Sequence, residues 1–529
     1  MSNHDTQTSY DKVPYRSAPF PQTHPSRIGA IAQLFELDIN IQDGFRLLEL
    51  GCASGGNIIP LAQQYPQAHF VGIDASKVQI DLGNKVVKQT KLSNIDLLNT
   101  GIEDFASDVP FDFIICHGVY SWVPAHVQEA ILRICQDNLS PQGLAYISYN
   151  TFPGWKMRGT IRDIMRYRSR SFETHEDQLG QARTFLEFLT KSLGEENSPY
   201  ALMLRRELEA ISKSDDYYLH HEHLEDTNQP VYFHEFMKQA QQFQMEYVCE
   251  ADFGSSYIEK LPDNIKSMLV SVSHDRIELE QYLDFLRNRT FRQTILCHSS
   301  RKPTRQPQID SLNRLYVSSN AIPEKQNYDY RSQDELLFRR RDARLKTTDP
   351  LVKVAFSILE KRWPQRVPFK ELASVSRSII HDRPIPIDNE FMTGETQRFA
   401  KTILDCFSSS LVDLHSDQSL CDSFPSDTPL AKPLQIQQAN QSAMVTTLIH
   451  TEFQMDEFQR QLIQLCDGTK DRDQIVTAMV QLLENGKLTI YGNQGNKLEP
   501  SEDISETLKT YVNRTIDGLW KNGLLSSSK

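Results

Sequence analysis

An α/β fold with a parallel sheet is predicted for the chain up to about residue 300. Three observations predict it. Apolar runs of strand length alternate with amphipathic helical stretches from Phe45 onward. The first run ends in a turn of small residues, "LLELGCASGGN", Leu47 to Asn57. The second run, "VGIDAS", ends on an acid, Asp74. In an open sheet of this kind, ligands sit outside the carboxyl ends of the strands, where both features fall.

The elements follow in order. "FRLLELG" is the first strand, and "NIIPLAQQYP" continues as a helix. "AHFVGID" is the second strand, "KVQIDLGNKVVKQT" a helix, "IDLLNTG" the third strand and "FDFIICHG" the fourth. "AHVQEAILRICQDNL" places Val127, Ile131, Ile134 and Leu139 on one helical face. "SPQG" reads as a turn and "LAYISYN" as the fifth strand. Residues 156–240 are mostly helical in pattern, whereas "MEYVCEADF" (245–253) and "FRQTILCH" (291–298) have strand composition and can rejoin the sheet.

This divides the chain into five segments. Residues 1–27 are an irregular arm rich in Pro and Tyr, and residues 28–155 the ligand-binding core. Residues 156–300 are a helical insertion with the returning strands, which a dimer interface could use. Residues 301–425 form a mainly helical middle domain behind the polar, basic linker "SSRKPTRQPQID" (299–310). A second linker, "SDQSLCDSFPSDTPLAKPLQIQQAN", leads into residues 426–529, whose short helices and small strands are winged-helix-like. Tyr10, Tyr15 and His24 make the arm either a lid over the ligand or an exposed tail.

Composition narrows the class. The 529 residues carry a net charge of −12, against the basic face a duplex-DNA binder needs, so no nucleic-acid partner is expected. A cationic substrate is electrostatically easier to accept. No apolar run approaches the roughly 20 residues of a membrane helix, and "MSNHDTQTSY" lacks the pattern of a signal peptide. Eight scattered cysteines with no CxxC pair argue against a disulfide scaffold or zinc ribbon and fit a reduced, cytoplasmic compartment.

The glycine-rich turn admits two readings, a pyrophosphate cradle or a site for S-adenosyl-L-methionine. Its spacing is Glu49-x-Gly51-x-Ala53-x-Gly55, with Gly56 next. An acid before the first glycine would face a pyrophosphate unfavourably and suits the cationic methionine end of S-adenosyl-L-methionine. Gly51 and Gly55 are expected to approach the ligand, Ala53 to hold a negative φ beside its methionine end, and Asn57 to contact the cofactor. Asp74, followed by Ala75, can accept both ribose hydroxyls, a role common to both readings. In "NTGIEDF", Ile102 is placed to pack on adenine and Glu103 or Asp104 to edge it.

With these residues in register the chain resembles the class I S-adenosylmethionine-dependent methyltransferases. The resemblance extends through "HGVYSWVP", "SYNTFPGW", "HEHLEDTNQPVYFHEFM", "YLDFLRNRTFRQTILC" and "CDGTKDRDQIV". These look like bacterial methyltransferases with a methyltransferase regulatory domain, whose characterised relatives are rickettsial-type protein-lysine methyltransferases. The resemblance implies a Rossmann-like, seven-stranded, mostly parallel sheet, methyl transfer to a lysine of a bacterial protein, and a homodimer as one assembly open to it. Alternatives are methylation of a small molecule, or cofactor binding without turnover. Two positions depart from the general pattern: Ala53 replaces the middle glycine, and Gly101 stands where many relatives have an adenine-binding Asp.

His117, Tyr120 and Trp122 follow the fourth strand, where this fold places the acceptor. His117 reads as a proton acceptor, a cofactor contact or a structural His; Tyr120 and Trp122 read as acceptor walls or as packing under a loop. Tyr149, Asn150 and Trp155 line the neighbouring strand end, and no NPPY or DPPY motif occurs here. "HHEHLE" (220–225) is a cheap metal pattern, and no metal is expected. Arg158, Arg162 and Arg166 share one helical face, read as solvated or as a contact for an acidic partner.

Overall fold

A computed structural model describes residues 17–39, 41, 44–212, 219–386, 394–418, 421, 425–489 and 502–527. The strands are β1 (Arg46–Leu50), β2 (His69–Asp74), β3 (Ile95–Asn99), β4 (Phe111–Cys116), β5 (Leu139–Asn150), β6 (Met245–Glu250) and β7 (Phe291–His298). They form one seven-stranded sheet in the order β3-β2-β1-β4-β5-β7-β6. β1 to β5 pair in parallel, while β7 runs antiparallel to both β5 and β6.

Alternation along each strand explains why both sheet faces are covered. Leu47, Phe70, Phe113, Ile115 and Leu144 enter one apolar cluster. Their neighbours Leu48, Val71, Ile114, Cys116 and Ala145 enter a second. Successive strand residues point to opposite faces, so a sheet apolar at both parities must be sandwiched. The first face takes α1 (Pro25–Leu34), α2 (Ile58–Gln64) and α3 (Lys77–Thr90), through residues such as Ile28, Ile31, Ile58 and Ile80. Its cluster runs on into the middle domain through Val317, Phe338, Phe356, Phe369 and Phe399. The second face takes α4 (Ala125–Asn138), with Ile131 and Cys135, and α8 (Phe233–Gln242), with Phe233, Phe236 and Met237.

The insertion contributes α5 (Gly154–Ser169), α6 (His175–Ser192) and α7 (Pro199–Ser212) before α8, then α9 (Asp263–Val272) and α10 (Arg276–Arg287) between β6 and β7. The basic face of α5 is engaged by its own chain, with Arg166 still partly solvated. Arg158 pairs with Glu222 at 3.2 Å and Glu207 at 3.7 Å, Arg162 donates to the His223 carbonyl at 3.3 Å, and Arg166 pairs with Asp226 at 2.7 Å. β7 is pinned by a fully buried Arg292. Its guanidinium meets Glu250 at 2.7 Å, Asp284 at 2.9 Å and Glu280 at 3.1 Å, with the Phe233 ring 3.7 Å from its carbon.

Two expected irregular stretches are ordered. "SPQG" is not a turn: it belongs to β5, which starts at Leu139 and shifts register opposite Phe111 and Phe113. The 299–310 segment is tied down, with Thr304 and Gln308 donating their amides to the carbonyls of Phe35 and Leu34 at 3.1 and 2.6 Å. The middle domain holds α11 (Pro350–Arg362), α12 (Phe369–His381) and α13 (Glu395–Ser408) with two three-stranded sheets. The last domain has its own core, in which Ala439, Leu462, Ile475, Met479, Val512 and Leu519 join four helices: α14 (Pro433–Gln441), α15 (Glu457–Leu465), α16 (Arg472–Glu484) and α17 (Glu502–Lys521). α14 lies inside the stretch expected to be a linker. All eight cysteines are buried, and none is in a disulfide. Among the described residues, no helix is long and apolar enough to cross a membrane.

Candidate active site

The loop after β1 is built by three left-handed residues at alternate positions. Gly51 has φ 73°, Ala53 47° and Gly55 78°. The Gly51 and Cys52 amides both donate to the Ile73 carbonyl, at 2.9 and 3.0 Å, which folds the chain back over the end of β2. A Cβ on Gly51 would lie 2.5 Å from Val119 Cγ2, so the close approach as well as the torsion requires glycine there. Ala53 contradicts the expected negative φ. Its amide is turned towards Asp74 and donates to Oδ2 at 2.9 Å, and the left-handed torsion is what aims it there. Alanine takes that torsion at a cost of about 1–2 kcal/mol.

Asp74 accepts from Ala53 through Oδ2 and from the Ser76 amide through Oδ1, at 2.8 Å. Ala75 is exposed beside it, and its carbonyl accepts from Asn99 Nδ2 at 2.9 Å. Ile102 is half-buried against the second cluster. Glu103 is exposed and bridges to His126 Nε2 at 2.8 Å.

Glu49 is only 3% exposed. Its Oε1 accepts from Asn57 Nδ2 at 2.8 Å, and its Oε2 is buried with no hydrogen-bond partner among the described residues. Burial pushes its pKa up to about 8, against the pull of the Asn57 bond. Asn57 was expected to meet the ligand; instead its side chain faces inward. Its Oδ1 accepts from the Phe20 amide at 2.9 Å and the Thr23 hydroxyl at 3.1 Å, and lies 2.9 Å from His450 Nε2 in the last domain.

From Ser17 onward, the arm lies over this loop. The Gly56 amide donates to Ser17 Oγ at 2.6 Å, and a Cβ on Gly56 would lie 2.5 Å from the Ser17 carbonyl carbon. Phe20 places its ring 3.9 Å from that of His117. His24 caps α1 by accepting the Ser26 amide. Tyr10 and Tyr15 lie outside the described residues.

On the acceptor side, the expected residues separate. His117 is held between Phe20 and Tyr146, with Nδ1 2.8 Å from the Tyr146 hydroxyl, and burial pushes its pKa down to about 4. Tyr120 is not a wall of this space: it is fully buried, its ring packs on Tyr149 and Phe236, and its hydroxyl donates to Gln239 at 2.8 Å. Tyr149 is buried in the same cluster, stacked on Phe236 at 4.2 Å. Trp122 is half-buried, edge-on to Trp155 at 6.4 Å. Asn150 is engaged by Asn228 at 3.1 Å. In "HHEHLE", His221 and Glu225 face each other at 3.5 Å, and the His220 side chain lies outside the described residues. Among the described residues, no group of three or more His, Cys, Asp and Glu side chains is placed to hold a metal ion.

Ser17, Phe20, Thr23 and His450 were not singled out from the sequence. The prolines flanking Phe20 in "PFPQ" are a signal that could have drawn notice to it; nothing local marks His450.

A buried carboxyl at the end of β1, with one oxygen unpaired, calls for a cationic ligand, and the Asp74 carboxylate beside it suits a diol. The sheet order around them is that of the class I S-adenosylmethionine-dependent methyltransferases, and this chain is one of them. A methyltransferase-domain model matches residues 47–143, the family described as "Predicted methyltransferase regulatory domain" matches 215–298, and "PKMT, C-terminal winged helix domain" matches 427–524. The chain is 36% identical over 525 residues to Uncharacterized protein RP789 of Rickettsia prowazekii (strain Madrid E), covering 98% of this chain and 93% of that protein. It is also similar in structure to PKMT2 from Rickettsia typhi in complex with AdoHcy. The TM-score is 0.86 at 28% identity, covering 97% of this chain and 100% of that one. The chain belongs to the same family as RP789, in which the class I core carries a regulatory domain and a PKMT winged-helix domain.

Proposed function

We propose that this methyltransferase acts on protein lysines, with a bacterial protein as substrate. The observation that carries the reading is the combination of the PKMT winged-helix domain with likeness to PKMT2 along the whole chain. S-adenosyl-L-methionine supplies an activated methyl group on a sulfonium. Glu49, behind the Gly51–Gly55 loop, balances the cationic methionine end. Asp74 and Ala75 take the ribose, and Ile102 and Glu103 border the adenine.

His117 and Trp122 shape the acceptor side, and Tyr120 supports them from the core. His117 is a poor base for an ammonium of pKa about 10.4, because its own pKa is pushed down to about 4. The lysine proton is therefore better removed by desolvation in an aromatic-walled space, which lowers the amine pKa, followed by loss to solvent. Rate then comes from holding amine and methyl in line.

The test is incubation of the purified chain with tritiated cofactor and a bacterial lysate, followed by mass spectrometry of labelled proteins. Label on lysine side chains is expected. Label only in the low-molecular-weight fraction would replace this reading with small-molecule methylation. Cofactor binding with no label anywhere would make the chain a cofactor-binding regulator.

A further inference from the structure

The last domain meets the core through Gln435 and Leu434 on Gln63, Gln437 on Gln89, and His450, whose ring reaches Asn57 behind the loop after β1. His450 stands in the tight turn between strands Met444–Thr446 and Glu452–Gln454, at φ 58° and fully buried. The turn is closed by the Thr447 amide on the Thr451 carbonyl at 2.8 Å, and the Leu448 amide docks on the Gly523 carbonyl at 2.6 Å. His450 is thus projected by a stiff support rather than by a loose loop.

The hydrogen-bond chain has one consistent direction. The Phe20 backbone N–H can only donate, so the Asn57 atom it meets is the carbonyl oxygen. Nδ2 of Asn57 then necessarily faces Glu49. His450 Nε2, on the same oxygen at 2.9 Å, must carry the proton. Its Nδ1 is buried with no hydrogen-bond partner among the described residues, so the interaction with Asn57 is the polar contact that orients the ring. The ring also packs edge-on against His24, the cap of α1, with centroids 5.5 Å apart. Asn57 is only 3% exposed, so bulk water has little access to replace a lost donor.

We propose that His450 is a positioning residue of the cofactor site: through Asn57 it orients the Glu49 carboxyl that meets the cationic end of S-adenosyl-L-methionine. The winged-helix domain is then a structural part of the cofactor site as well as a candidate substrate-binding module. This rests on the assignment of Glu49 to the cofactor made above.

The test measures S-adenosyl-L-methionine affinity by calorimetry on the full chain, as a double-mutant cycle. Glu49→Gln alone should weaken binding; unchanged affinity would overturn the assignment of Glu49 itself. His450→Ala should weaken binding about tenfold, the loss expected for one buried hydrogen bond. In the Glu49→Gln background the same change should have less than a twofold effect. His450→Gln, whose amide can donate to Asn57, should recover most of the affinity. Equal losses in both backgrounds, or a wild-type affinity for His450→Ala, would overturn the proposal. If His450→Ala does not fold, His450→Gln and the shorter His450→Asn are compared in both backgrounds. Gln must then bind more tightly than Asn only where Glu49 is intact, and any other pattern overturns the proposal.

Discussion

The Ala53 amide donates to Asp74 Oδ2 at 2.9 Å, and Ala53 holds φ at 47° while doing so. The first prediction follows from that torsion. Ala53→Gly removes the left-handed penalty while loosening the unfolded chain, so stability should change by no more than about 1 kcal/mol. Ala53→Val puts a branched side chain where φ is positive and should cost about 2 kcal/mol or more. Denaturant melts of the two ligand-free variants check this. Equal effects would mean that the loop does not hold this torsion in solution.

Asp74 has two functions that can be separated. Asp74→Ala removes the proposed ribose contacts and the Ala53 anchor together, and should weaken cofactor binding by about 10–100-fold. Asp74→Asn keeps one acceptor oxygen for Ala53 but turns its NH2 towards the Ser76 amide, so it should lose less stability than Asp74→Ala while still losing affinity. Calorimetry with S-adenosyl-L-methionine, alongside a melt, distinguishes the two losses. Wild-type affinity in both variants would move the ribose elsewhere.

Glu49 links cofactor binding to pH. Burial raises its pKa to about 8, above its ordinary value, so the ligand-free carboxyl is mostly protonated at neutral pH. The sign follows directly. A carboxyl raised in the folded state stabilises the fold relative to the unfolded chain at low pH. That contribution declines as pH rises from about 4.5 through about 8. A cationic ligand favours the ionised form, so binding near pH 7 should release about one proton. Affinity should also rise with pH until it levels off near pH 8. Calorimetry in buffers of different ionisation enthalpy measures the release, and Glu49→Gln should abolish it. No proton release by the intact protein would show that Glu49 does not meet the charge.

Arg292 is fully buried among Glu250, Glu280 and Asp284. Arg292→Met leaves Glu250 without its buried cation, with only Arg289 near Asp284 and Glu280, and should cost at least about 3 kcal/mol. The melting temperature should fall, and the fall should be smaller at low pH, where those carboxylates can be protonated. A pH-independent effect would assign the loss to packing instead.

The sheet was legible because each strand is a short apolar run set between polar, helical stretches, and because the turn after β1 and the acid closing β2 need particular residue types. β5 was read short because its first residues are polar and include a proline and a glycine, the chemistry of a turn; pairing along β4 overrides that local preference. The Ala53 torsion was misread because alanine ordinarily avoids it, and only the Asp74 carboxylate across the loop requires it. Tyr120 carried the right composition for an acceptor wall, but the direction of its ring is decided by Phe236 on α8, a partner far away in sequence. Asn57 was placed correctly at the loop, but the inward turn of its side chain was not foreseen. Its partners, Phe20 and His450, come from opposite ends of the chain and leave no mark on the residues around it.

That separation has a consequence for the order in which the protein matures. Asn57 and His450 lie 393 positions apart. At ordinary rates of synthesis, tens of seconds pass between their emergence from the ribosome. In that interval the five parallel strands can already pair, while the outer edge of β5 waits for β7 until the whole helical insertion has been made. A nascent chain, or one cut short before its last domain, would hold the recognisable sheet of a methyltransferase while Asn57 still lacked its third donor.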